Sequence, residues 1–322
     1  MNVFQEIIEN ITSRHVYIQT HNFPDPDAIA SAYGLMALLQ KNDIDASICY
    51  KGKIERFSTN GFINRLGIEL VDLDTITLGP EDKIILVDSQ RGNSNIIDTD
   101  AESIICIDHH PTFAEGAHYR YADIRPEYGA CATIIASYYF ENDIEMDSKV
   151  ATALLYGIKN DTMGLSRGVS VEDVNAYQKL YSKCDLELIK SLEHCSLKYD
   201  DLKAYATAIN SIKIFDKVSF ANTGYDCPEA LIATISDFMI DIAEVEFSVV
   251  YSIRDDGIKL SVRSLGTLDA GVITNEALNG IGGGGGHAEM AGGFVPFGDK
   301  MPHDDIELAI GTLEQRFLEQ IH

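Results

Sequence analysis

Two short runs constrain this chain more than any other feature: KIILVD at 83–88, and SIICI at 103–107 running into Asp108. Each is continuously apolar and ends in aspartate. A strand with one wet face alternates apolar and polar residues. One that does not alternate is buried on both faces, as in a parallel sheet covered by helices. Such sheets bind ligands beyond the carboxyl ends of their strands, which is where Asp88 and the triplet Asp108-His109-His110 stand. The expected fold class is therefore α/β, with an N-terminal doubly wound, mainly parallel sheet.

The flanking pattern agrees. Helices are expected near 3–13, 27–41, 56–66, 129–141 and 147–159, with further strands near 15–20 and 46–51. From about 165 to 215 the periodicity is helical, and it reads as a connector. The remainder reads as a second, smaller α/β domain: strand 217–222, helix 228–240, strands 245–253 and 258–263 around the Asp-Asp-Gly turn at 255–257, helix 270–280, strand 293–297 and helix 304–320. The expected boundaries are 1–165, 166–215 and 216–322. A length of 322 residues suffices for two domains with their own cores.

Charge narrows the partners. There are 50 acidic against 25 basic residues, a net charge of −25. Long duplex DNA is held by neutralising phosphates with basic side chains, so it is excluded, whereas a small phosphorylated ligand at a local cationic site is not. No apolar run reaches the ~18 residues that span a bilayer, and MNVFQEIIENI does not resemble a signal peptide. The six cysteines contain no C-x-x-C pair and suit a reducing cytoplasm. The expectation is a cytoplasmic protein that binds no membrane, with a homodimer left open.

The segment HNFPDPDA at 21–28 places two acids where a strand hands over to a helix. Acids are favourable at a helix N-terminus, so a capping motif is one reading. A metal site is the other. Asp25, Asp27, Asp88 and Asp161, with His21 and His109, come from four separated segments, most of them at strand ends. Four carboxylates converging on one sheet edge would repel one another unless cations neutralised them. Oxygen ligands mixed with imidazole suit Mn²⁺, Mg²⁺ or a similar ion such as Co²⁺. Two such ions about 3.5–4 Å apart are a recurring device for hydrolysing phosphate esters.

The segments HNFPDPDA, VDSQ (87–90), DHH (108–110) and GIKNDTMG (157–164) resemble, in order, the four motifs of the DHH phosphoesterase family. SVRS (261–264) and GGGGGHAEMAGG (282–293) resemble its DHHA1 domain, and the likeness covers nearly the whole chain. It is nearest the short two-domain branch of nanoRNases and 3′-phosphoadenosine 5′-phosphate phosphatases. The resemblance implies that His21, Asp25 and Asp88 hold one divalent ion, and Asp27, Asp88, His109 and Asp161 the other. Asp88 would bridge, and Mn²⁺ is the first choice of metal. Asp108 and His110 would orient a ligand or touch phosphate, with His110 a candidate acid toward the leaving oxygen. Arg263 and His287, with the backbone of Gly284, Gly285 and Gly286 and a helix starting near His287, would grip a non-scissile phosphate.

Two departures bear on substrate choice. Asn160 stands where threonine or serine often precedes the last metal-binding aspartate. In GACAT (129–133) Cys131 replaces a small hydroxyl residue, leaving Thr133 as the phosphate contact. The implied function is hydrolysis of short oligoribonucleotides or linear dinucleotides in a cleft between the domains, with 3′-phosphoadenosine 5′-phosphate as a further substrate. The alternatives are an exopolyphosphatase-like enzyme and a catalytically silent nucleotide-binding regulator.

Overall fold

The computed structural model describes residues 3–54, 56–93, 95–112, 118–193, 197–298 and 306–321. The chain divides into two compact units, residues 1–196 and 197–322. The first contains, in order, α1 (Val3–Asn10), β1 (His15–Gln19), α2 (Pro26–Gln40), β2 (Asp45–Tyr50), α3 (Phe57–Leu66), β3 (Leu70–Asp72), β4 (Lys83–Val87), β5 (Glu102–Asp108), β6 (Tyr121–Ile124), α4 (Cys131–Glu141), α5 (Ser148–Asp161), α6 (Val171–Tyr181) and α7 (Leu186–Glu193).

The six strands are all parallel, in the order β3-β2-β1-β4-β5-β6. The order reverses between β1 and β4, and a doubly wound sheet opens its ligand crevice at such a switch point. The two apolar runs form the middle of the sheet as expected. Ile84, Ile85, Leu86 and Val87 are buried, as are Ile104, Ile105, Cys106 and Ile107. Each such aliphatic side chain contributes about 1.5–3 kcal/mol when fully removed from water. β3 and β6 are additions to the expected strands: they are short and lie at the two sheet edges.

Local chemistry fixes the helix starts that matter for the site. Asp25 caps α2, its Oδ1 accepting the Asp27 and Ala28 amides at 2.9 and 3.0 Å, and Pro26 opens the helix with its φ already helical. Helix α4 has no cap of its own. Its Cys131 and Ala132 amides donate instead to Oδ2 and Oδ1 of Asp27, at 2.7 and 3.0 Å. Asp27 thereby ties α2 to α4. Gly157 of α5 completes the contact, because a Cβ there would stand 2.9 Å from Asp27 Oδ1.

The second unit contains α8 (Asp201–Ser211), β7 (Lys213–Phe215), β8 (Val218–Tyr225), α9 (Glu229–Ile240), β9 (Phe247–Ile253), β10 (Gly257–Ser264), α10 (Ala270–Leu278), β11 (Gly283–Gly286), β12 (Met290–Pro296) and α11 (Ile306–Ile321). Its sheet runs β11-β12-β10-β9-β8-β7 and is mixed: β8 and β9 are parallel and the other pairs antiparallel. The helical stretch expected as a connector is thus shared, with α6 and α7 in the first unit and α8 in the second.

The glycine run differs from expectation. It forms the edge strand β11, hydrogen-bonded to β12, and no helix begins at His287, which lies exposed in the turn between the two strands. Packing accounts for the glycines alternately. A Cβ at Gly282, Gly284 or Gly286 would come within 2.4, 2.7 or 2.3 Å of a carbonyl oxygen of the neighbouring strand or its turn. At Gly283 and Gly285 it would meet nothing within 4 Å.

Candidate metal centre

The turns after β1, β4 and β5 and the last residue of α5 bring the acidic and histidine side chains together. Three overlapping groups have ligand atoms within 4.8 Å of one another: His21, Asp25 and Asp88; Asp27, His109 and Asp161; Asp88, His109 and His110. The structure therefore gathers all six residues expected to hold metal.

Asp88 is central. Its Oδ2 lies 3.7 Å from His21 Nε2, and its Oδ1 lies 3.3 Å from His109 Nε2, so the two oxygens face different imidazoles. Oδ1 is buried and accepts no hydrogen bond. An orphaned buried carboxylate oxygen is costly unless an ion completes it. The backbone of Asp88 is left-handed, φ 58°, a conformation costly for a non-glycine residue and concentrated at functional sites.

Each imidazole is oriented by its other nitrogen. His21 Nδ1 donates to the Asn22 carbonyl at 2.8 Å, and His109 Nδ1 to the Tyr128 carbonyl at 3.1 Å, turning both Nε2 atoms toward the carboxylates. Such carbonyl-to-histidine contacts set the tautomer and direction of metal-binding histidines. His109 Nε2 lies 3.3 Å from Asp161 Oδ2 as well. His110 is turned the opposite way, its Nδ1 2.9 Å from Asp108 Oδ1, leaving Nε2 for other work. Asp108 is itself saturated. Oδ1 also accepts the His109 and His110 amides, and Oδ2 accepts from Gln90 Nε2 at 2.8 Å. Asp108 therefore orients His110 and does not face a substrate.

The donor set fits hard divalent cations: four carboxylates and the imidazoles, with no thiolate among the grouped residues. Electrostatics point the same way. Burial alone would lower the His109 imidazole, but Asp88, Asp27 and Asp161 outweigh it and raise it to about 11. Burial is likewise outweighed at His21, which Asp25 and Asp88 raise to about 10. Burial, then Asp25 and Asp88, push Asp161 up to about 6. Without cations, protons are held where cations would sit.

Because both imidazoles titrate well above neutrality in the metal-free protein, loading Mn²⁺ at pH 7 should expel about two protons. Apparent affinity should rise as pH increases from 6 to 9. Calorimetric titration in buffers of different ionisation enthalpy measures the count, and release of no protons would contradict it.

Three residues near the cluster were not visible from motif spacing. Gln90 holds Asp108 together with the His110 and Pro111 carbonyls. Arg167 donates through Nη2 to the Asp161 carbonyl at 2.7 Å and lies 3.7 Å from its carboxylate. Its loop follows three successive left-handed residues, Met163, Gly164 and Leu165. Asp173 of α6 is fully buried and accepts from the Gly129 amide, the Ser170 amide and hydroxyl, and the Thr133 hydroxyl. That corrects the expectation for Thr133. Its hydroxyl is buried and committed to Asp173, so it anchors the start of α4 and makes no phosphate contact.

In the second unit, Arg263 lines a hollow of ≈440 Å³ with Lys259, Ser261, Gly283 and Gly284. Its Nε donates to Asp237, and Nη1 to Ser261 Oγ and the Val262 carbonyl at 3.0 Å. Gly283 and Gly284 thus line the same hollow as Arg263, whereas Gly285, Gly286 and His287 are not among its lining residues.

Comparison with known proteins converges on one family. Residues 15–158 match the model of the DHH family N-terminal domain, and residues 215–317 match that of the DHHA1 domain. An uncharacterized protein of Methanocaldococcus jannaschii, MJ1633, is 33% identical over 87% of this chain and 58% of its own length. The cyclic-di-AMP phosphodiesterase PdeA of Listeria monocytogenes is 27% identical over 90% of this chain and 46% of its own length. The chain thus spans about half the length of these relatives. The crystal structure of an exopolyphosphatase-related protein from Bacteroides fragilis superposes with a TM-score of 0.77 at 18% identity, covering 99% of this chain and 96% of that one. That likeness concerns the fold. With both domain models in sequence order and the six motif residues gathered on one sheet edge, the chain belongs to the DHH phosphoesterase family and carries a DHHA1 domain.

Proposed function

We propose that this protein is a divalent-metal-dependent phosphohydrolase that cleaves linear dinucleotides or short oligoribonucleotides. The observation that carries the reading is Asp88, whose two oxygens face His21 and His109 separately while Oδ1 accepts no hydrogen bond. His21, Asp25 and Asp88 would hold one ion, and Asp27, Asp88, His109 and Asp161 the other, with Mn²⁺ preferred by the mixed donor set. Bound divalent ions supply Lewis acidity toward phosphoryl oxygens and bring a water near neutral ionisation.

The chain's own residues do the rest. Asp88 fixes the spacing of the two ligand groups. Burial opposes protonation of His110, whereas Asp108 and Asp88 favour it, and with Nδ1 held on Asp108 its Nε2 would be the group that donates to the leaving oxygen. Arg263 and the glycines that line its hollow would hold a second, non-scissile phosphate.

The phosphodiesterase name of the Listeria relative supports a dinucleotide substrate class; the exopolyphosphatase-related description of the Bacteroides protein motivates a second reading. A panel of pApA, cyclic di-AMP, short RNA, 3′-phosphoadenosine 5′-phosphate and polyphosphate, assayed with Mn²⁺, separates them. The highest kcat/KM should fall on pApA or short RNA. A preference for polyphosphate would overturn the proposal, and no turnover of any substrate would point to a silent regulator.

The grip has its own test. Arg263→Ala removes a charge-assisted contact worth about 1.5–3 kcal/mol. Its kcat/KM for pApA should fall about tenfold or more, while bis-p-nitrophenyl phosphate, with no second phosphate, should be hydrolysed nearly as before. Equal losses on both would place Arg263 at the scissile phosphate.

A further inference from the structure

We propose that Phe23 is a stacking platform for a nucleobase of the substrate, an inference that rests on the nucleotide reading above. Phe23 sits inside the metal-binding turn, two residues after His21 and two before Asp25. Its ring is 66% exposed. Its backbone is also left-handed, φ 56°, in a residue type that rarely adopts that conformation.

The neighbours hold that conformation in place. The Phe23 amide donates to the Lys51 carbonyl at 2.7 Å. The preceding residue is pinned twice, the Asn22 amide donating to the Asn95 carbonyl at 2.6 Å and its Oδ1 accepting the Ile97 amide at 3.2 Å. The ring then rests on the backbone of Gly52, where a Cβ would lie 2.6 Å from two ring carbons. Gly52, itself at φ 94°, is therefore required for the ring to lie where it does.

The result is an aromatic surface supported on one side by main chain and open on the other, rigidly attached to two residues of the metal cluster. Gly52, the residue beneath the ring, also lines a hollow of ≈630 Å³ with Tyr50, Lys53 and Ile54. Strain held by main-chain bonds, an exposed π-face and a place within the metal-binding turn together suit a base, because base stacking on aromatic side chains is sequence-tolerant and strong. The residue would make the site prefer nucleotides over bare phosphates without reading which base is present.

The test compares pApA with its abasic counterpart, which keeps the phosphates and sugars and lacks both bases. In the wild type, KM should favour pApA. Phe23→Leu keeps apolar volume on Gly52 and Phe23→Ala removes it; in both the KM advantage of pApA should shrink by about tenfold or more. Phe23→Trp should keep or widen it. An unchanged ratio in the Leu and Ala variants would overturn the proposal.

A binding readout separates this from failure of the nucleotide reading. The chain has no tryptophan, so the indole of Phe23→Trp is a sole reporter. AMP should quench its emission and ribose 5-phosphate should not. Equal response to both would overturn stacking even where pApA is cleaved. Selective quenching by AMP would sustain stacking even if the wild type turned over neither dinucleotide.

Discussion

Replacing Asp88 by alanine should abolish metal-supported hydrolysis and lower the amount of Mn²⁺ retained at equilibrium. One carboxylate faces both imidazole groups, so its loss should weaken both of the proposed ion sites at once. The fall in kcat should exceed the ~10–100-fold typical of residues that only orient a ligand. Asp88→Asn is the informative partner. It keeps the shape and tolerates the left-handed backbone, φ 58°, so folding should survive while the bridging charge is lost. Near-normal turnover with saturating Mn²⁺ in either variant would refute a shared ligand.

Asp173→Ala should have the largest effect on stability. The carboxylate is fully buried and collects the Gly129 amide, the Ser170 amide and hydroxyl, and the Thr133 hydroxyl. Truncation strands several buried donors, each costing about 1–3 kcal/mol, and removes the capping box of α6. A net loss of about 3 kcal/mol should lower Tm by roughly 6–12 °C. Retained metal affinity in the folded variant would separate this scaffold role from the chemistry. A Tm within a degree or two of wild type would show that water replaces the lost acceptor.

The clustering of these acids and histidines is legible in the sequence because its determinants are short-range. Asp25 and Asp27 share one turn, and Asp88 and His109 follow the two continuous apolar runs of the first unit. The edge strands were not. β3 has three residues and β6 four, too few for a period to declare itself. The glycine run misled for a related reason. Glycine carries no strand signal, and what makes 283–286 a strand is pairing with β12, a tertiary fact. Thr133 and Asp173 meet across 40 residues, so the motif GACAT gave no hint that its hydroxyl was already engaged. Asp25 serves as helix cap and is also placed to bind metal, so the two readings of its position are compatible.

That double service governs how the centre responds when emptied. Asp25 is fixed by the Asp27 and Ala28 amides, and Asp27 by the Cys131 and Ala132 amides. Both carboxylates are therefore posed by the folded main chain before any ion arrives. In zinc fingers the binding energy of the ion is spent on folding, and a chelator unfolds the domain. Here the receptor is assembled by hydrogen bonds that a chelator does not touch. Stripping and reloading should be a reversible change of cargo within a standing scaffold.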